Sequence, residues 1–315
     1  MTLASAQFSF ISTFVVENVS INKVQRFLAV EVLHALNQSS RVVIVRGPRM
    51  HETVYKAVDL MGGMKEAVKD ASQVLIKVNF ISTKTYVTGA TTDPLVVEAL
   101  IRKAREFTDK IFVVESDAST TNADKACRAT GMLQVCEDNK VKFINLRREK
   151  ERVTLEIPDP EVLHKITVPK IVVDSAIIDA AKLKTHSETG VTLGMKNMFG
   201  LLPEKMKFKY HLRNISKVVV DINSVLKPKV TIIDGFIALE GPGPVSGSPV
   251  KMDLIVAGTD VLAVDATASR IMGIDPFEIY HIRRAYEKGF GEIAQDKIEV
   301  VGNTLEEVTR KFRRS

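Results

Sequence analysis

The chain has 315 residues, 45% hydrophobic and 26% charged, with a formal net charge of +6. That balance excludes a disordered, collagenous or low-complexity polypeptide and suits a buried core in one large α/β unit or two closely joined ones. Cys127 and Cys136 are the only cysteines, too few for a disulfide framework or for an iron–sulfur cluster ligated by this chain's own thiolates, so a reducing, cytoplasmic setting is expected. No apolar run reaches the roughly 18 to 20 residues of a membrane span.

Residues 1–40 read as an N-terminal extension. Its FSFISTFVV run lacks the basic leader and small-residue cleavage site of a secretory signal. Asn22 is placed to cap an amphipathic helix in which Val24, Phe27, Leu28, Val32 and Leu36 recur at helical spacing.

The body, 41–315, alternates strand and helix. VVIVR (42–46) is a buried-strand pattern, followed by a helical stretch that stops at Gly62 and Gly63. VLIKVN (74–79) is a second strand, and 93–107 a helix with Asp93 as its cap and Pro94 in its first turn. IFVVES (111–116) is a third strand. Repeated β–α pairs of this kind predict an α/β fold, a mainly parallel sheet with helices on both faces. From 141 to 168 the pattern changes to KFINL, RVTLEI and HKITV, read as a short antiparallel β insertion, with two lobes meeting near 140–170. The α/β pattern resumes with the strand SAIIDAAKLK, the helix HLRNISKVVVDINSVL, the strands VTIIDG and DLIVAG, and the helix DVLAVDATASRIMG.

In open α/β sheets ligands bind beyond the carboxyl ends of the strands, where the polar residues of this chain fall. Lys77 and Asn79 close the second strand, Glu115, Ser116 and Asp117 the third, and Lys182, Lys184 and His186 alternate along a later one. Thr189, Gly190, Thr192 and Gly194 then lead into Lys196 and Asn197, a small-residue helix start that lets an anion approach backbone N–H groups. Thr91 and Thr92, in GATTDP, offer hydroxyls at another helix start, although capping alone explains Asp93. Asp117, Asp234 and Asp260 leave room for an oxygen-ligated divalent cation, while Asp221 and Asp265 sit in helical sequence and suit buried polar groups. GPGPVSGSP (241–249) is a rigid turn and matches neither a phosphate-binding P-loop nor a dinucleotide fingerprint.

Between 205 and 217, Lys205, Lys207, Lys209, His211, Arg213 and Lys217 occur without an acidic residue. Met206, Phe208 and Tyr210 interleave with them, so one edge is expected to pack while the other meets solvent or an anion. Nucleic acid fits poorly, since aromatic residues are 6% and no recognised motif is present.

The sequence resembles the prokaryotic family catalogued as domain of unknown function 362 over about Arg41 to Gly302. The resemblance is carried by KVN (77–79), GATTDP (89–94), ES (115–116), KLKTHSETGVTLGMKNMFGLLP (182–203), VDIN, TIIDGFIALEGPGPVSGSP (231–249) and GTDVLAVDATASRIMGIDP (258–276). Many relatives carry a ferredoxin-type cysteine module, which this chain lacks. The resemblance implies the α/β body and a grouping of Lys184, His186, Lys196, Asn197, Asp234 and Glu240, without naming a substrate.

Together these residues lead to an expected enzyme that acts on a small carboxylate or phosphate metabolite in a cleft between lobes. Lys184 and His186 carry the acid–base chemistry, with Lys184 alternatively forming a Schiff base, and Lys77, Asn79, Thr91, Thr92, Lys182, Lys196, Asn197 and Glu240 bind substrate. The competing expectation is a non-catalytic ligand-binding protein, or one that docks an acidic redox protein through 205–217.

Overall fold

The computed structural model describes residues 40–69 and 71–314; apart from Ser40, the N-terminal extension and its expected helix lie outside the described residues. The apolar runs form β1 (Ser40–Arg46), β2 (Val74–Lys77), β3 (Ile111–Glu115), β4 (Lys142–Asn145), β5 (Arg152–Glu156), β6 (Lys165–Pro169), β7 (Ala176–His186), β8 (Gly190–Val191), β9 (Val230–Glu240), β10 (Ser248–Gly258) and β11 (Ile298–Gly302). Nine of them make one sheet, in the order β11-β1-β10-β9-β7-β2-β3-β4 with β8 paired to β7. Within it, β10 and β8 run against the other strands, which are mutually parallel.

Period-two alternation sorts each strand between two apolar layers. Val43 and Val45 pack with Val54 of helix His51–Leu60 and Leu100 of helix Pro94–Arg105. Val42 and Ile44 point the other way, onto Leu262 and Ala266 of helix Val261–Ile271. Further along that second face, Leu75, Val114 and Ile177 pack against Val218 and Ile222 of helix Ile215–Val225. Helices therefore cover both faces, as the sequence predicts, and Asp93 caps its helix through the Leu95 N–H with Pro94 in the first turn.

The insertion is smaller than expected. KFIN joins the main sheet as parallel edge strand β4 beside β3, so only β5 and β6 form the separate antiparallel ribbon. Four residues bounded by a turn carry no signal of which sheet they join; β4 is drawn in by the β3 edge.

Candidate functional site

β2, β7 and β3 lie side by side and parallel, so Lys77 and Glu115, the last residues of β2 and β3, emerge together at one end of the sheet. β7 pairs with β2 only through Ala176–Asp179, and its remaining residues, to His186, run past that end. A cavity of about 220 Å³ opens there, walled by Lys77, Asn79, Glu115, Lys184, His186 and Asn197, with Thr192, Lys196, Phe199 and Lys207 completing it.

Its floor is a connected network. Lys77 Nζ donates to Glu115 Oε2 at 2.9 Å and to the Val78 carbonyl at 2.6 Å. Asn197 Oδ1 accepts from Asn79 Nδ2 at 2.9 Å, and Asn197 Nδ2 donates to Asp179 Oδ1 at 2.7 Å. Lys184 Nζ donates to Asn79 Oδ1 at 2.7 Å and to the Ala90 carbonyl at 2.6 Å. Glu115 also accepts from the Phe80 and Ser116 N–H groups. Gly200 sits against this floor so closely that a Cβ would lie 2.4 Å from both Lys77 Nζ and Glu115 Oε1.

Burial and the surrounding positive charge set the electrostatics. Burial, then Lys182 and Lys196, push the Lys184 ammonium well below the ordinary lysine range. Burial lowers Lys196 to about 8 and Lys207 to about 8. His186 is pushed down to about 2 by burial and then by Lys196 and Lys184, so it is a neutral imidazole at neutral pH. Its Nδ1 accepts the Glu188 and Thr189 N–H groups at 3.1 and 3.3 Å, which assigns the ring proton to Nε2.

The small-residue helix start expected to receive an anion is already filled. The Asp265 carboxylate accepts the N–H groups of Gly194 and Met195, the first turn of helix Leu193–Asn197, at 2.7 and 2.8 Å. Asp221 does the same for the Glu161, Val162 and Leu163 N–H groups, so both helical aspartates satisfy buried backbone.

Other expected residues stand apart from the cavity. Lys182 is buried in an ion pair with Asp234 at 2.6 Å, and Asp234 also accepts the Asp93 N–H. The register of β7 on β9 jumps from Lys182↔Asp234 to Lys184↔Leu239, which separates two lysines that simple alternation puts in one place. Thr91 donates to the Lys84 carbonyl, and Thr92 donates to the Ala180 carbonyl while accepting the Asn79 N–H. Neither hydroxyl lines the cavity, nor does Glu240, which is held by the Arg313 N–H and guanidinium. The grouping implied by the resemblance thus keeps Lys184, His186, Lys196 and Asn197 and leaves Asp234 and Glu240 outside.

Asp117, Asp234 and Asp260 occupy three separate places. Asp117 is held by Arg147, Asn145 and the Ala123 N–H; Asp260 caps helix Val261–Ile271 and accepts from Ser40. Among the described residues no three His, Cys, Asp or Glu side chains gather as a metal site.

The sequence puts Lys207 on the basic edge of 205–217, expected to meet solvent or an anion, whereas its buried ammonium reaches Ser116 Oγ inside the cavity. Lys196 and Lys207 lie 4.6 and 5.3 Å from the Phe199 ring centre. The interleaving of lysines with apolar residues was the available signal, but its sense is reversed: Lys207 and Tyr210 face inward, and Met206 and Phe208 outward.

Among the described residues no helix is long and apolar enough to cross a membrane. A thylakoid-associated protein of Synechocystis sp. is 28% identical over 226 residues, covering 70% of this chain and 68% of the relative. A family model described as domain of unknown function (DUF362) matches residues 74–270, a span that contains every cavity-lining residue from Lys77 to Pro244. The chain belongs to the DUF362 family.

Proposed function

We propose that the cavity binds a small metabolite through a carboxylate or phosphate and catalyses proton transfer on it. One observation carries this reading: among the residues that line the cavity, the side-chain groups still free to bond can all donate. Lys196 Nζ has no hydrogen-bond acceptor among the described residues, the buried Thr192 hydroxyl has no partner, and His186 Nε2–H is unengaged. Lys207 adds an ammonium that, among the described residues, donates to Ser116 alone and otherwise lies over the Phe199 ring. The carboxylates at the wall are already matched, Glu115 by Lys77 and Glu188 by His211. A site rich in unspent donors is complementary to an acceptor-rich anion.

In this reading Lys196 and Lys207 hold the oxyanion, and neutral His186 donates from Nε2 to a developing negative charge. Lys184, lowered by burial, donates to Asn79 and Ala90 and, at 3.4 Å, to the Pro244 carbonyl; once it gives up the proton on that longest bond, its lone pair is the one that takes a proton or attacks a carbonyl. The competing reading, docking of an acidic redox protein through 205–217, is less well supported, because Lys207 is turned inward and Lys209 and His211 are paired with Glu204 and Glu188. We place the protein in the cytoplasm, where buried free thiols persist; the relative's thylakoid association adds a membrane surface to that address.

The test is calorimetric titration with inorganic phosphate and a panel of small carboxylates, followed by proton NMR of the binders in D₂O. Solvent deuterium appearing at carbon with wild type, and not with Lys184→Met, is the expected result. Binding of none of these anions sinks the reading, and binding without exchange reduces it to a ligand-binding protein.

A further inference from the structure

The segment that delivers Lys207 and His211 to the cavity presents a different set of side chains outward. Met206 is 77% exposed, Phe208 63% and Leu212 75%, and they fall within seven consecutive positions on and beside the single helical turn Phe208–His211. Other large exposed apolar side chains, such as Met50, Val87 and Phe277, are isolated along the chain. Lys205, Lys209 and Arg213 alternate with the three and are also exposed. Among the described residues Lys205 and Arg213 have no carboxylate partner, and Lys209 reaches only Glu204, at 3.4 Å.

We propose that this segment docks the protein on an anionic lipid surface, Met206, Phe208 and Leu212 entering the interface and Lys205, Lys209 and Arg213 meeting the headgroups. Apolar side chains that protrude singly between cations suit a fluid interface, which accommodates each one separately. A protein partner of ordinary affinity needs roughly 20–30 residues a side, far more than this short segment offers. The absence of any acidic residue from 205 to 217 makes the electrostatic attraction one-signed. Because Lys207 and His211 line the cavity from the same segment, docking sets one wall of the cavity against the membrane surface. This inference stands on the outer face and does not depend on what the cavity binds.

The test is co-sedimentation of the full chain with vesicles of phosphatidylcholine alone or mixed with phosphatidylglycerol. Wild type is expected to bind the mixed vesicles, to release them at high salt and to ignore phosphatidylcholine. Met206→Ser/Phe208→Ser/Leu212→Ser and, separately, Lys205→Glu/Lys209→Glu/Arg213→Glu are expected to lose binding at least about tenfold, since each removes one of the two attractions. The serine variant keeps the wild-type thermal midpoint, because its replaced side chains already face solvent, and the charge variant loses only the exposed Lys209–Glu204 pair, with a correspondingly small shift. Failure of wild type to bind anionic vesicles overturns the proposal. So does unchanged binding by the serine variant, which locates the membrane contact elsewhere, including residues 1–39.

Discussion

Lys182 and Asp234 form an ion pair of 2.6 Å with neither side chain exposed, and the pair joins strands β7 and β9 where their register jumps. Asp234 also takes the Asp93 N–H, and Asp93 is gripped through both oxygens by Arg49 at 2.6 and 2.7 Å. The four residues tie β7 and β9 to the start of helix Pro94–Arg105.

Lys182→Met therefore leaves a buried carboxylate without its cation and is expected to cost about 3–5 kcal/mol in stability, whereas Lys182→Met/Asp234→Leu recovers most of that loss. Urea denaturation of the wild type, the single variant and the double variant checks this. If the single variant retains wild-type stability but loses anion binding, Lys182 belongs to the site and not to this tie.

Gly200→Ala tests the cavity floor. The new methyl lands 2.4 Å from both Lys77 Nζ and Glu115 Oε1 and must displace their ion pair. The expected outcome is a loss of about 1–3 kcal/mol in stability together with weakened phosphate binding. Calorimetry that finds unchanged phosphate affinity would detach Lys77 and Glu115 from the ligand.

Anion affinity is expected to follow the ammonium state of Lys196 and Lys207, each lowered to about 8 by burial. Below that pH both are charged and binding is at its maximum. Above it a proton must be taken up with the ligand, so affinity falls about tenfold per pH unit for each lysine that has to recharge. In Lys196→Met the affinity at pH 7 drops and the slope above pH 8 shrinks. A flat profile from pH 7 to 9.5 would rule out these lysines as the anion's partners.

The parts of this architecture that depend on neighbours in sequence were legible. VVIVR declared itself a buried strand, and Lys77, Lys184 and His186 declared themselves as polar groups ending apolar strands. What escaped was set by distant parts of the chain. Lys182 parts from Lys184 because of an irregularity against β9, some fifty residues on. The helix start at Gly194 looked open to an anion because its occupant, Asp265, arrives from another helix. Lys207 turns inward because the cavity supplies Ser116 and Phe199, and local amphipathicity alone favours the reverse.

Acid stability is expected to be governed in part by His281. The ring is fully buried on helix Tyr280–Glu287, neither nitrogen has a partner, and burial, aided by the Lys196 charge, lowers it to about 3. In the unfolded chain the imidazole returns to about 6.5. Between those values the unfolded state holds more protons, so stability rises with pH across the window: it is complete above about 6.5 and declines as the pH falls toward 3. His186, lowered to about 2, acts with the same sign. At about 1.4 kcal/mol per pKa unit, His281 alone accounts for a loss on the order of 3 kcal/mol between pH 6.5 and 4. His281→Phe fills a similar volume, removes the unpartnered nitrogens and takes away that proton uptake. Urea midpoints at pH 7 and pH 4 should therefore differ less in His281→Phe than in the wild type, with the variant the more stable of the two at pH 4. Equal acid losses in both proteins would assign the sensitivity to other groups and leave His281 as a packing residue.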